Sequence, residues 1–252
     1  MPQSPFQTFV LAWIALALLL LPVQLMVTAP YGRHTSRRWG PVMDNRLGWM
    51  IMEAVSPAAL LYFFLNGEAD SPLLAWVLVG LWTAHYAHRS LIYPLRTHTR
   101  GKQIPVSIVL SAVFFNVVNG WTNGYFLGEN ADRYQDNWAT CPHFVLGLGL
   151  FFAGAAINIW ADNYLLHLRR PGETGYRIPR GRLFRYISCP NHFGEIVEWS
   201  GFALMAWNLP ALGFAIWTAA NLIPRSLSHH RWYRDHFKDY PQKRKAVIPF
   251  LL

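Results

Sequence analysis

Long apolar runs separated by short polar connections dominate the chain. Phe6 to Thr28 carries no charged residue and matches the ~20 residues an α-helix needs to cross a hydrocarbon core. It is too long, and too poor in basic residues at its start, to read as a cleaved signal peptide. Further runs predict spans near Leu47 to Leu65, Pro72 to Tyr93, Ile104 to Leu127, His143 to Leu168, Phe193 to Trp207 and Pro210 to Leu227. The last two are short and polar-flanked, and Pro210 after Asn208 marks a tight turn between them. Several runs nevertheless contain ionisable residues: Glu53, Arg89, Asp162, Glu195 and Glu198. Charges at such depths are costly, so they face a bundle interior and mark a site.

Composition agrees with this pattern. The chain is 53% hydrophobic and 14% charged, against roughly 25% charged in an average soluble domain. Its 252 residues read as a single membrane-embedded domain, 1–252, without a sustained repeat. Lys and Arg then orient the spans. Twenty of the 22 lie on alternate connections, Arg133 lies on the other side and Arg89 lies inside a span. This positive-inside partition predicts an all-α, polytopic bundle of seven transmembrane helices, with the N-terminus outside and the C-terminus cytosolic. A bacterial inner membrane and the endoplasmic reticulum both fit. The partition accounts for the net charge of +9 without nucleic acid, and basic loops under a bilayer favour anionic headgroups or a phosphorylated cofactor. Cys141 and Cys189 fall on opposite sides, so no disulfide is expected, and no zinc-ligand spacing is present. No obligate protein partner is implied.

Polar stripes at helical spacing carry the chemistry. Asn158 and Asp162 share a face of the fifth span, with Arg169 near that face two turns later. Asn191, Glu195 and Glu198 repeat the arrangement on the sixth, and Arg225, His229 and Tyr233 on the seventh. All lie toward the cytosolic ends, where they could line one hydrophilic chamber. The connection RRPGETGYRIPRGRLFRYISCP has arginines suited to bidentate phosphate binding, although an ordinary basic loop obeying the topology rule has the same composition. Gly147, Gly149 and Gly154 lie within a span, where close helix packing is expected.

A second polar group comprises Glu53 in the second span and HYAHR in the third, with Tyr86 and Arg89. One reading is a structural Glu53–Arg89 ion pair among packed aromatics. The other is chemical: a carboxyl beside a phenol in an apolar pocket can hydrogen-bond a developing oxyanion.

The segments HYAHRSLIY, NIWADNYLLHLRRPGETGYRIPRGRLFRYIS, NHFGEIVEW and HHRWYRDHFKDYPQKRKAVIPFLL resemble those of the steroid 5α-reductase family. The similarity runs from the Glu53 region to the last residue in nearly constant order. The first span shares only its hydrophobicity and the YGRHT that follows it. The resemblance implies a seven-helix membrane enzyme that uses NADPH to reduce the carbon 4 to carbon 5 double bond of a 3-oxo-Δ4 steroid. It further implies that Glu53 and Tyr86 hydrogen-bond the 3-oxo oxygen. Asn158, Asp162, Arg169, Tyr176, Arg177, Asn191, Glu195, Arg225, His229 and Tyr233 match cofactor-binding positions, and Arg244 matches another family position whose substitution is harmful, which we read as cofactor support. The loop LRTHTRGKQIP departs from the family: it is longer, with Lys102 in place of an arginine and His98 in place of an asparagine.

Two other classes accommodate part of the pattern. An S-adenosylmethionine-dependent membrane methyltransferase can share a polar C-terminal region but does not require Glu53 and Tyr86 as a pair. A non-enzymatic sterol-binding membrane protein needs the lipid pocket but has little use for the full set of polar stripes.

Overall fold

The structure is a computed structural model that describes residues 4–97, 101–168 and 175–252. Among these residues the architecture is all-α apart from one antiparallel pair of short strands, β1 (Val42–Asp44) and β2 (Gln103–Pro105).

Helix α1, Pro5–Met26, opens with a capping box. The Ser4 hydroxyl accepts from Gln7 N at 3.2 Å, and the Gln7 side chain accepts from Ser4 N at 3.3 Å, satisfying donors that have no intrahelical partner. In α2, Asn45–Leu65, the Asp44 carboxylate caps Leu47 N at 3.0 Å. Pro57 interrupts the ladder of α2: it has no N–H, so the Glu53 carbonyl four residues earlier loses its helical donor.

The third run is not one regular helix. α3, Leu73–Ala87, passes through a π-helical turn, His88–Ile92, into the short α4, Tyr93–Arg96. Such π turns insert a residue into the helical register and recur at functional sites; this one carries Arg89. α5 (Val106–Glu129), α6 (Pro142–His167), α7 (Pro190–Ala206) and α8 (Leu209–His236) complete the chain.

Each apolar run therefore becomes helical, with ends displaced by a few residues, and the last helix extends to His236 instead of stopping near Leu227. Among the described residues, four helices, α1, α2, α5 and α6, are long and apolar enough to cross a membrane. The chain is an all-α, multi-pass membrane protein.

The helices form two compact units. One contains α1, α6 from Leu146, α7 to Leu204, α8 from Leu212 and the C-terminal segment; the other contains residues 29–145 and the 205–211 turn. In the first unit, α1 leans on α8 through Trp13 and Trp217, whose ring centroids are 4.7 Å apart, and Trp217 Nε1 donates to Trp13 O at 3.0 Å. The other side of α1 is open and apolar, with Leu19 73% and Met26 86% exposed, as a lipid-facing surface requires.

Glycine sets the closest contacts in both units. A Cβ at Gly194 on α7 would lie 2.5 Å from Asn158 N on α6, and one at Gly154 would lie 2.7 Å from Glu198 Cα. Gly147 contributes through its carbonyl, which faces Gly201. Gly149 has open space around its missing side chain, so the packing role expected of it does not hold: it points away from the α6–α7 seam. Gly120, Gly124 and Gly128 on α5 make the corresponding seam with α2, where a Cβ at Gly120 would lie 2.7 Å from Ser56 O. Small residues at such spacing let backbones approach and maximise van der Waals contact where lipid supplies no hydrophobic drive.

The α7–α8 turn is tightly held within the second unit. Tyr134 OH donates to Ala206 O and Trp138 Nε1 to Met205 O, both at 2.9 Å. These donors satisfy carbonyls left over at a helix end. Asn208 Nδ2 donates to Tyr134 OH at 3.0 Å while Asn208 Oδ1 accepts from Ala211 N at 2.8 Å. Burial pushes the Tyr134 phenol up to about 12.

Candidate active site

The residues read as the ketone-binding pair both belong to the second unit. Tyr86, on α3, is 4% exposed, and Glu53, on α2, is half-buried. Trp82, one turn before Tyr86, stacks on it with centroids 5.7 Å apart, and its Nε1 donates to Ser56 Oγ at 3.1 Å. A hydrogen bond therefore ties α3 to α2 three residues beyond Glu53. From α5, Asn116 Nδ2 donates to Met52 O at 2.6 Å, which leaves Asn116 Oδ1 facing the Tyr86 hydroxyl at 3.5 Å. One amide thus touches the phenol and the backbone next to Glu53.

Sequence reasoning missed Asn116 and Ser56. The available signal was the row Asn116, Asn119 and Asn123 inside an apolar run. All three are buried, and a buried amide without partners is expensive. Arg89 lies with its guanidinium 5.5 Å from the Trp49 ring centroid and 5.0 Å from that of Tyr93, within cation–π range.

The second group is built in the first unit. Asn158 Nδ2 donates to Asn191 O at 3.0 Å and to Glu195 Oε2 at 3.2 Å, while Asn191 Nδ2 donates to Asp162 Oδ1 at 3.0 Å. Each carboxylate, which can only accept when ionised, takes an amide N–H from the opposite helix. Asn158 and Asp162 are each 2% exposed, whereas Asn191 and Glu195 are half-buried, so this polar chain is buried on its α6 side within the α6–α7 seam that the glycines allow. Glu198, also 2% exposed, continues along α7.

Arg225, His229 and Tyr233 follow one another on α8, with Arg225 7% and Tyr233 4% exposed. The His229 ring lies 5.7 Å from that of His192 on α7, bringing the α7 and α8 stripes together. His192 Nδ1 is 2.8 Å from Ser226 Oγ, whose proton is directed to Leu222 O at 2.7 Å. Ser226 therefore accepts, and His192 carries its proton on Nδ1.

Tyr176 and Arg177 are exposed on the connection before α7, and Tyr176 meets Trp232 with centroids 4.9 Å apart. Arg169 lies outside the described residues, as does His98. Lys102 is exposed, and its carbonyl accepts from Asn45 N at 3.0 Å. Arg244, 4% exposed, donates from Nη2 to Pro179 O at 3.0 Å and covers the Tyr240 ring at 4.9 Å. Beyond Leu227, His230 is held below its ordinary value by burial and then by Arg234, Arg244 and Lys245. Burial raises the Tyr240 phenol despite its bond to Ser188. Both cysteines are free thiols, and among the described residues no group of His, Cys, Asp and Glu could hold a metal.

Fold and site together define a multi-pass membrane protein with two polar constellations, one built on a phenol and an amide and one on amides and carboxylates. The sequence pattern of the family described as 3-oxo-5-alpha-steroid 4-dehydrogenase matches residues 102–252. The chain is 40% identical over 249 residues to the steroid 5-alpha-reductase of Gossypium hirsutum, covering 94% of this chain and 95% of that protein. It is 41% identical over 223 residues to 3-oxo-5-alpha-steroid 4-dehydrogenase 1 of Macaca fascicularis, covering 88% and 84%. The human protein of the same name is 40% identical over 223 residues, covering 88% and 85%. The chain belongs to the 3-oxo-5-alpha-steroid 4-dehydrogenase, or steroid 5α-reductase, family.

Proposed function

We propose that this protein reduces the carbon 4 to carbon 5 double bond of 3-oxo-Δ4 steroids with NADPH, giving 5α-reduced 3-oxo steroids. The observation that carries this reading is the match to steroid 5-alpha-reductases along nearly the whole chain.

The donor set supports NADPH. Buried and half-buried amides and carboxylates (Asn158, Asp162, Asn191, Glu195) suit the hydrogen-bonding groups of a nicotinamide and ribose, while Arg225 and the arginine-rich connection suit phosphates. We assign Asn158, Asp162, Arg169, Tyr176, Arg177, Asn191, Glu195, Arg225, His229 and Tyr233 to the cofactor. When bound, NADPH supplies a hydride for carbon 5 of the enone.

Negative charge then moves through the conjugated system to the ketone oxygen, and a proton at carbon 4 completes the reduction. Tyr86 donates to the ketone oxygen, and Glu53 either bonds to that oxygen or orients the phenol. A donor aimed at an oxygen whose charge grows during reaction stabilises the transition state more than the ground state.

In this reading the chain is one seven-span membrane domain with the N-terminus outside and the cofactor residues and C-terminus in the cytosol. The arginine and lysine partition supports that orientation.

The test is direct. Purified protein is incubated with NADPH and a 3-oxo-Δ4 steroid, and both nicotinamide oxidation and product mass are followed. Steroid-dependent oxidation with a gain of two hydrogens is expected; neither signal appearing would overturn the reading.

A further inference from the structure

Ser188 lies two residues before α7, at the end of the arginine-rich connection and three residues before Asn191. Its hydroxyl oxygen is 2.7 Å from His230 Nδ1, 2.6 Å from Tyr240 OH and 3.0 Å from Lys245 O. A carbonyl only accepts, so the serine proton goes to Lys245. The two remaining acceptor positions then receive the Tyr240 O–H and the His230 Nδ1–H. One donor and two acceptors are the full capacity of a hydroxyl, and all are used.

This oxygen joins three parts of the chain: the start of α7, the end of α8 and the C-terminal segment. Ser188 is 4% exposed and Tyr240 2%. Backbone bonds reinforce the junction, with Ser188 N donating to Lys245 O at 2.9 Å, Cys189 N to Ala246 O at 3.1 Å and Lys245 N to Tyr186 O at 2.8 Å. The Tyr240 ring stacks on Tyr233 with centroids 5.4 Å apart and planes 7° from parallel. His230 directly follows His229. Each arm of the junction therefore ends beside a residue assigned above to the cofactor: Asn191, His229 or Tyr233.

We infer that the Ser188 hydroxyl is a positioning group for the cofactor site, holding the C-terminal segment as part of its wall through Tyr240 and His230. The inference rests on the NADPH reading of that site. Losing the hydroxyl leaves a buried phenol and a half-buried imidazole to find new partners, and their shift displaces Tyr233 and His229. Glu53 and Tyr86 belong to the other compact unit, so steroid recognition is affected less than cofactor recognition.

The experiment uses full-length protein in lipid nanodiscs with Ser188→Ala, Ser188→Thr, Tyr240→Phe and the Ser188→Ala/Tyr240→Phe double variant. KM for NADPH and for the steroid are measured separately. Ser188→Ala should raise the NADPH KM about tenfold, as expected for an unsatisfied buried polar group, and Ser188→Thr should restore much of the loss. The steroid KM should stay within about twofold, and the double variant should be no worse than Ser188→Ala, because the two changes break one network. An unchanged NADPH KM in folded Ser188→Ala, or equal loss for both substrates, overturns the inference. If Ser188→Ala does not fold, Tyr240→Phe decides by the same split. Wild-type protein that does not bind NADPH overturns the inference together with the functional reading. Wild-type protein that binds NADPH without reducing steroid overturns only the reaction, and the NADPH-induced rise in melting temperature then replaces KM as the readout.

Discussion

Asn158 on α6 donates to Glu195 on α7 at 3.2 Å, across a seam where Gly194 leaves no room for a side chain. Gly194→Ala would put a methyl group 2.5 Å from Asn158 N and push the helices apart. A loss of about 1–3 kcal/mol is expected from overpacking, read as a lower melting temperature, accompanied by weaker NADPH binding. A variant with both properties unchanged would show that the seam yields without cost.

Tyr86→Phe should lower turnover by about 100- to 1000-fold, the usual cost of losing one oxyanion donor, and Glu53→Gln, which replaces the carboxyl by an amide with a different proton arrangement, should also lower it. NADPH binding should be largely retained, as measured by cofactor-induced thermal stabilisation. Parallel loss of turnover and NADPH binding would point to a structural role for the pair.

Asn116→Leu keeps roughly the volume of the amide but removes its contacts to Tyr86 and Met52. Turnover should fall about five- to tenfold, in line with roughly 1 kcal/mol for one hydrogen bond. Asn116→Gln should not rescue it, because the longer side chain displaces the amide. Steady-state kinetics with unaltered NADPH KM checks this expectation.

The arginine-rich connection and Arg225 favour a cofactor carrying an additional phosphate, since guanidinium binds such groups bidentately. Catalytic efficiency should therefore be higher with NADPH than with NADH, and the gap should narrow as salt screens exposed arginines. Equal efficiency at low salt would remove these residues from 2′-phosphate recognition.

The Tyr134 phenol is raised to about 12 by burial, above the usual ~10 of an unfolded tyrosine. Between these values the folded state holds a proton that the unfolded state has released, so stability falls as pH rises through the window. Melting curves should show an alkaline loss over this range that is smaller in Tyr134→Phe. That variant should also be less stable at neutral pH, because Ala206 O loses its donor.

The polar groups were legible to different extents. Asn158 and Asp162, like Asn191 and Glu195, stood out because helical spacing aligned them against apolar surroundings. Asn116, Ser56 and Ser188 did not, because each derives its importance from partners far away in the chain: Ser188 meets His230 and Tyr240 only after folding. Gly149 and Gly154 looked equivalent, yet only helix rotation decides that Gly154 faces α7 and Gly149 does not.

The sequence by itself determined the apolar helices and the polar stripes on them, because burial in lipid and the cost of intramembrane charge act locally along the chain. It also carried the arginine and lysine asymmetry on which the proposed orientation rests. Tertiary structure decided the break of the third run at His88–Ile92, the reach of α8 to His236 and the joining of the amides to the carboxylates. Those features depend on which helix faces meet and how closely. That closeness is set by glycine contacts and hydrogen bonds between distant residues, which no local pattern encodes.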